Sequence, residues 1–168
     1  MKIKFKPLSE LAFMPKKATE GASAYDVYIP KNVIIRQGRQ VVPLDFAIEI
    51  PYGYEAKIEP RSGLSSKGME GVSALAAYDG KTIGRFNCDI VQGKIDSDYR
   101  GCVGAIVNNQ DCEFSMIRGT RIAQLTIYKV EDAEFEVVDE LTETDRGDGG
   151  FGSIASSSCR PRKRRFER

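Results

Sequence analysis

The chain has 168 residues, 41% apolar and 29% charged, a composition that suits one globular domain with a real core and argues against disorder. It contains no histidine, which excludes a Ser-His-Asp triad, a Cys-His pair and a His-based zinc site. The net charge of +1 conceals a split: the last ten residues hold six of the 25 Lys/Arg and one of the 24 Asp/Glu, leaving 19 and 23, or about −4, for residues 1–158.

In chain order, Lys2–Lys6 alternates Lys with apolar residues, the period of a half-buried strand. That start lacks a signal-peptide core, and no apolar run nears the ~20 residues of a membrane helix, so a cytoplasmic protein is expected. Tyr25–Ile29, closed by Pro30, is the next strand. Val33–Ile35, Gln40–Ile50, Tyr54–Glu59, Cys102–Val107 and Ile122–Val130 follow as further strands. Turn signals separate them at Gln37-Gly38, Pro51-Tyr-Gly53, Asn108-Asn109 and Arg118-Gly119. Many short strands with polar turns predict an all-β sandwich or jelly roll. Met69–Tyr78, with Ala74-Leu-Ala-Ala77, is the one stretch that reads as a short helix. From Gly147 the chain is rich in Gly and Ser and reads as mobile unless something orders it. The end, Arg160-Pro-Arg-Lys-Arg-Arg165, reads as a solvated tail or as a nucleic-acid contact or import signal. Cys88, Cys102, Cys112 and Cys159 form no C-x-x-C pair and are expected as free thiols.

Three segments carry chemistry. Pro60-Arg-Ser-Gly-Leu-Ser-Ser-Lys-Gly68 follows a strand and holds two glycines, three hydroxyls and two cations. Glycines admit backbone N–H groups to an anion, and Arg and Ser add donors, so it reads as a phosphate loop or as a plain polar loop. Gly93-Lys-Ile-Asp-Ser-Asp-Tyr-Arg-Gly101 lies between the apolar runs Cys88–Val91 and Cys102–Val107, a hairpin setting. Its Asp96 or Asp98 can hold a water, or the stretch is an acidic turn. In Arg146-Gly-Asp-Gly-Gly-Phe-Gly-Ser153 four glycines surround a lone Phe. A stacking surface for a base would explain that Phe; a Gly-rich linker is the alternative. With no histidine, the general base is Asp, Glu, Lys, Tyr or Cys, and carboxylates suit Mg²⁺ better than zinc.

Together with Gly21-Ala-Ser-Ala-Tyr-Asp-Val27 and Arg121-Ile-Ala-Gln-Leu125, these segments resemble, in order and spacing, the five motifs of trimeric dUTPases over about residues 5–153. The resemblance implies a jelly-roll-like distorted β-barrel, a homotrimer with shared active sites, a flexible C-terminal arm and Mg²⁺-dependent hydrolysis of dUTP to dUMP and pyrophosphate. It implies Asp96 as the water-activating carboxylate and Tyr99 as the residue that excludes a 2′-hydroxyl. Arg61, Ser62, Gly63 and Gln124 would contact phosphates. Gly93, Lys94, Ile95 and Gly104 would offer backbone to uracil and sugar. Arg146, Phe151, Gly152 and Ser153 would close over the nucleotide, and Asp26 would lie near Mg²⁺, acting through water. The implied division is a body of residues 1–145, an arm of 146–158 and a basic tail of 159–168.

Three departures stand out. Ile154 and Ala155 replace the usual Gly-Thr ending of the fifth motif. The chain is longer than the family spacing at about 69–85. Ile90 stands where some members place an Asn. The competing readings are a dCTP deaminase on the same fold, which needs a glutamate-centred site, and a nucleotide-binding regulator of a partner protein.

Overall fold

The computed structural model describes residues 1–73 and 83–150. They divide into a compact unit, Met1–Asp132, and a second unit from Ala133. In the compact unit the strands, in chain order, are β1 (Lys4–Pro7), β2 (Tyr25–Tyr28), β3 (Val33–Ile35), β4 (Gly38–Pro43), β5 (Phe46–Glu49) and β6 (Tyr54–Glu59). A short helix α1 (Ser62–Lys67) follows, then β7 (Met69–Ser73), β8 (Gly84–Phe86), β9 (Cys88–Val91), β10 (Gly93–Ile95), β11 (Gly104–Asn109), β12 (Phe114–Met116) and β13 (Arg121–Lys129). Among the described residues no helix is long and apolar enough to cross a membrane.

All the strand pairs are antiparallel and the sheet orders are β1-β5, β10-β6-β13-β2, β4-β11-β9 and β3-β12-β7-β8. Strands distant in sequence lie side by side, as the return connections of a jelly roll require. Alternation along each strand sends one face inward: β11 reads intermediate, buried, intermediate, buried from Gly104 onward. The inward side chains, among them Phe46, Phe114, Ile29, Ile35, Leu44 and Ile58, form one core.

Several sequence expectations need correction. Gln40–Ile50 is two strands, because Asp45 takes φ 57° between them. Aspartate tolerates that conformation better than most residues, and its Oδ2 accepts the Ser9 hydroxyl at 3.0 Å. Asn108 and Asn109 end β11 rather than form a turn. Asn109 is 1% exposed, and its amide donates to the carbonyls of Ile35, Arg36 and Cys112, which satisfies the buried group and theirs.

The expected helix over Met69–Tyr78 is replaced at Met69–Ser73 by strand β7; the rest of that stretch lies outside the described residues. Pairing with β12 and β8 overrides the local helix preference. This part of the longer stretch belongs to the core, for Met69 is fully buried and Phe86 stacks on Phe114 with ring centroids 4.1 Å apart. The helix that does form, α1, has no buried residue and no side-chain N-cap, so no apolar periodicity announces it. Free thiols are found at Cys88, Cys102 and Cys112, and burial pushes the Cys88 thiol up to about 11.

Candidate active site

Register along β6 organises the site. At its C-terminal end Glu59 faces Gln124 of β13, and Gln124 faces Asp26 of β2, so three strands bring the second, fourth and first motifs to one edge. The chain then leaves β6 through Pro60, and Arg61 turns back. Its Nε donates to Asp26 Oδ1 at 2.8 Å, while an Arg121 guanidinium nitrogen donates to Asp26 Oδ2 at 3.2 Å. Asp26 is 8% exposed, so the pair of arginines neutralises a carboxylate that burial would otherwise destabilise. Arg61 also reaches the Arg121 carbonyl at 3.4 Å. Two guanidiniums are thereby fixed side by side against their mutual repulsion.

Ser62 and Gly63 open α1, and both are exposed. The Leu64 and Ser65 amides close onto the Arg61 carbonyl at 2.9 and 3.0 Å, which makes the loop a tight turn. Arg61, Gly63, Leu64 and Arg121, with Lys67, Glu70 and Arg85, line a cleft of about 320 Å³. Four cations against one carboxylate make it a receptor for anions.

The third motif starts beside the C-terminal end of β6 and runs along the strand towards its other end. Gly93, Lys94 and Ile95 pair with Ile58, Lys57 and Ala56. Ile95 is buried, and Lys94 donates to Glu55 Oε2 at 2.5 Å. Lys57 approaches the same carboxylate at 3.3 Å. Hydrogen bonds from Lys94 and then Lys57 hold Glu55 below its ordinary range, and Glu55 in turn raises Lys94. Asp96, the next residue, is exposed and lines a second cleft of about 160 Å³ with Tyr52, Tyr54, Glu55, Lys94 and Ser97.

Beyond Asp96 the chain turns back, and the Tyr99 amide donates to the Asp96 carbonyl at 3.1 Å. Arg100 locks the turn by donating to the carbonyls of Ser97 and Tyr99 at 2.7 and 2.9 Å. The Tyr99 hydroxyl donates to the Cys102 carbonyl at 3.1 Å, and the end of the side chain lies against Gly101. A β-carbon on Gly101 would stand 2.5 Å from the Tyr99 Cζ, so only glycine leaves space for this ring. Gly104 fits as closely against Val41, with a β-carbon 2.6 Å from its Cγ1. Tyr99 itself is 46% exposed. Ile90 is buried in the core, so at that position no side chain reaches out to a base.

The structure thus gathers Asp26, Arg61, Ser62, Gly63 and Gln124 at one place and Asp96 and Tyr99 at another, with Gly93 and Lys94 paired along β6 between them. Asp96 follows Ile95, which pairs with Ala56, whereas Arg61 lies beyond Glu59. At about 3.3 Å per residue the two groups are on the order of 15–20 Å apart within one chain, more than a triphosphate spans. Sequence reasoning missed Arg121 and Arg85, although the cation in Arg121-Ile-Ala-Gln-Leu125 was in view. It also passed over Gly101, whose signal was its place directly after the Tyr-Arg pair.

In the second unit the described residues, 133–150, contain no strand or helix. Arg146 Nε donates to the Gly149 carbonyl at 2.7 Å, and the Gly149 amide returns to the Arg146 carbonyl at 3.1 Å. Gly147, with φ +51°, donates to Thr144. Phe151, Gly152, Ser153, the Ile154-Ala155 ending, Cys159 and the basic tail lie outside the described residues.

Comparison with known proteins supplies the relationship. A family model described as dUTPase matches residues 11–91 and 81–155. A deoxyuridine 5'-triphosphate nucleotidohydrolase from Nautilia profundicola is 39% identical over 155 residues, 91% of this chain and 98% of that protein. One from Solanum lycopersicum is 38% identical over 150 residues, 88% of this chain and 78% of that protein. Among solved structures, a glycine-to-serine variant of the Staphylococcus bacteriophage 80alpha dUTPase with dUpNHpp has a TM-score of 0.76 at 25% identity, covering 91% of this chain and 98% of that one. With two overlapping matches that together run from residue 11 to 155, and relatives 38–39% identical over 78% and 98% of their length, the chain belongs to the dUTPase family.

Proposed function

We infer that this protein hydrolyses dUTP to dUMP and pyrophosphate, with water attacking the α-phosphorus. The observation that carries the reading is the presence, in a dUTPase-family chain, of an arginine-lined anion cleft together with an exposed Asp96 that opens the turn to Tyr99.

In this reading Arg61, Ser62, Gly63 and Gln124 hold the phosphates and Arg146 adds a further cation. Their charges offset those of the triphosphate, which otherwise repel a nucleophile. Asp96 accepts a proton from water and directs its oxygen toward phosphorus, help worth about 10²–10⁴ in rate. Tyr99, held by Gly101 and the Cys102 carbonyl, lies under the deoxyribose where a 2′-hydroxyl would collide. The backbone of Gly93, Lys94, Ile95 and Gly104 reads uracil and sugar, and Phe151, Gly152 and Ser153 cover the base.

The separation of Asp96 from Arg61 supports a homotrimer in which one chain supplies the phosphate cleft and another supplies Asp96 and Tyr99. Magnesium, when bound, neutralises phosphate oxygens. Among the described residues no three Cys, Asp or Glu groups gather to hold a metal, and both Asp26 oxygens are taken by arginines. These residues therefore do not form a direct Mg²⁺ ligand set among the described residues, and Asp26 serves to anchor Arg61 and Arg121.

The test is Asp96→Asn. It should bind a non-hydrolysable dUTP analogue with near-normal affinity while kcat drops by at least ~10²-fold. A kcat within a few-fold of wild type would remove Asp96 as the base.

A further inference from the structure

The cleft beside the phosphate loop contains cations that the five motif roles leave without a task. Lys67 ends α1, and Arg85 comes from β8, inside the stretch where this chain is longer than the family spacing. Both line the same 320 Å³ space as Arg61 and Arg121.

The placement of Arg85 is built. Glu70 and Arg85 are direct partners in the β7–β8 ladder, and Arg85 donates to Glu70 Oε2 at 3.3 Å and to the Gly68 carbonyl at 3.4 Å. Gly68 brings the two segments together. It has φ +76°, and a β-carbon there would stand 2.6 Å from the Phe86 carbonyl, so a larger residue would push β8 and its arginine off the loop. Phe86, adjacent to Arg85, is pinned in the core by stacking on Phe114. The Arg85 side chain is still half exposed, so its guanidinium keeps donors for a ligand.

Charge describes the ligand. The four cations Arg61, Lys67, Arg85 and Arg121 are opposed by Glu70 in the wall and Asp26 behind it, an excess of two positive charges. No acidic partner is found for Lys67 among the described residues. The space is polar and wider than a single phosphate needs. An anion with several charges spread along a short chain matches it best.

We propose that Arg85 and Lys67 form a second wall of the phosphate cleft, and that this wall binds the pyrophosphate portion of the substrate and pyrophosphate itself after cleavage. The inference rests on the reading of the Arg61 loop as the phosphate site and adds the inserted strand pair to it. It gives this chain stronger retention of pyrophosphate than the five motifs alone provide.

The experiment is calorimetric titration of the full-length protein with sodium pyrophosphate, and separately with dUMP, for wild type, Arg85→Gln, Arg85→Lys, Lys67→Gln and Arg61→Gln. Arg85→Gln should raise the pyrophosphate Kd by about three- to tenfold, the range for one charge-assisted contact at a half-exposed site. Lys67→Gln should act in the same direction, Arg85→Lys should recover part of the loss, and dUMP affinity should stay within twofold. Pyrophosphate affinity unchanged in both Arg85→Gln and Lys67→Gln would overturn the proposal, as would an equal loss for dUMP. If Arg61→Gln weakens pyrophosphate while Arg85→Gln does not, the loop reading stands and the second wall fails. If Arg61→Gln has no effect either, the loop reading fails with it.

Discussion

The Tyr99 ring owes its position to neighbours on both sides of it. Arg100 fixes the turn through two carbonyls, Gly101 leaves the space, and the Cys102 carbonyl receives the hydroxyl. In the proposed reading, sugar choice depends on Gly101 as well as on Tyr99. Tyr99→Ala should lower the dUTP/UTP ratio of kcat/KM by about tenfold or more, since it removes the group that meets a 2′-hydroxyl. Gly101→Ala keeps the tyrosine but expels its ring, so it should lower the same ratio in the same direction. A Gly101→Ala ratio equal to wild type would show that the ring's place against residue 101 does not matter to specificity. A similar dependence links Asp26 to Arg61: the carboxylate fixes the guanidinium through a 2.8 Å hydrogen bond.

At the level of elements, the pairing of β6 with β10 is held by backbone hydrogen bonds and by the Glu55–Lys94 ion pair. Glu55 is held below its usual 4.5, so the folded protein takes up that proton at lower pH than the unfolded chain does. Its contribution is complete above pH 4.5 and is lost as pH falls through the lowered folded value. Lys94 is raised above its usual 10.5, so its share is complete below pH 10.5 and is lost as pH climbs through the raised value. Glu55→Gln should thus melt below wild type near neutral pH, and the difference should shrink in acid below pH 4.5 and again in alkali above pH 10.5. A difference in Tm independent of pH would mean that the charge pair does not stabilise this junction.

The same elements show what the sequence made legible. Strands such as Tyr25–Tyr28, Val33–Ile35 and Tyr54–Glu59 announce themselves by β-branched and aromatic residues and by turn residues nearby, both local properties. The break at Asp45 rests on one residue's backbone angle and a bond to Ser9, thirty-six positions away. Strand β7 rests on its neighbours β12 and β8, which outweigh a helix-favouring composition. Asn109 looks like a turn residue until the three carbonyls around it are in place. Of the site, the motif segments were legible through their resemblance to the five family motifs, since their local chemistry alone left plain loops as alternatives; Arg121 and Arg85 became visible only when pairing placed them beside Arg61.

For the whole molecule, the distance along β6 between Asp96 and Arg61 is the decisive feature. A site made from one chain would leave base and phosphates too far apart, whereas copies of the chain can supply one group each. Two inactive variants, Asp96→Asn and Arg61→Ala, should then complement one another when unfolded together and refolded into mixed trimers. Partial return of activity is expected; mixed trimers without activity would place both residues in the same chain of each site. The central claim is tested most directly by pyrophosphate release from dUTP, dCTP, dTTP and UTP, side by side in the presence of Mg²⁺. The account predicts rapid release from dUTP and release slower by at least about 10²-fold from the other three; comparable release from all four, or none from dUTP, would contradict it.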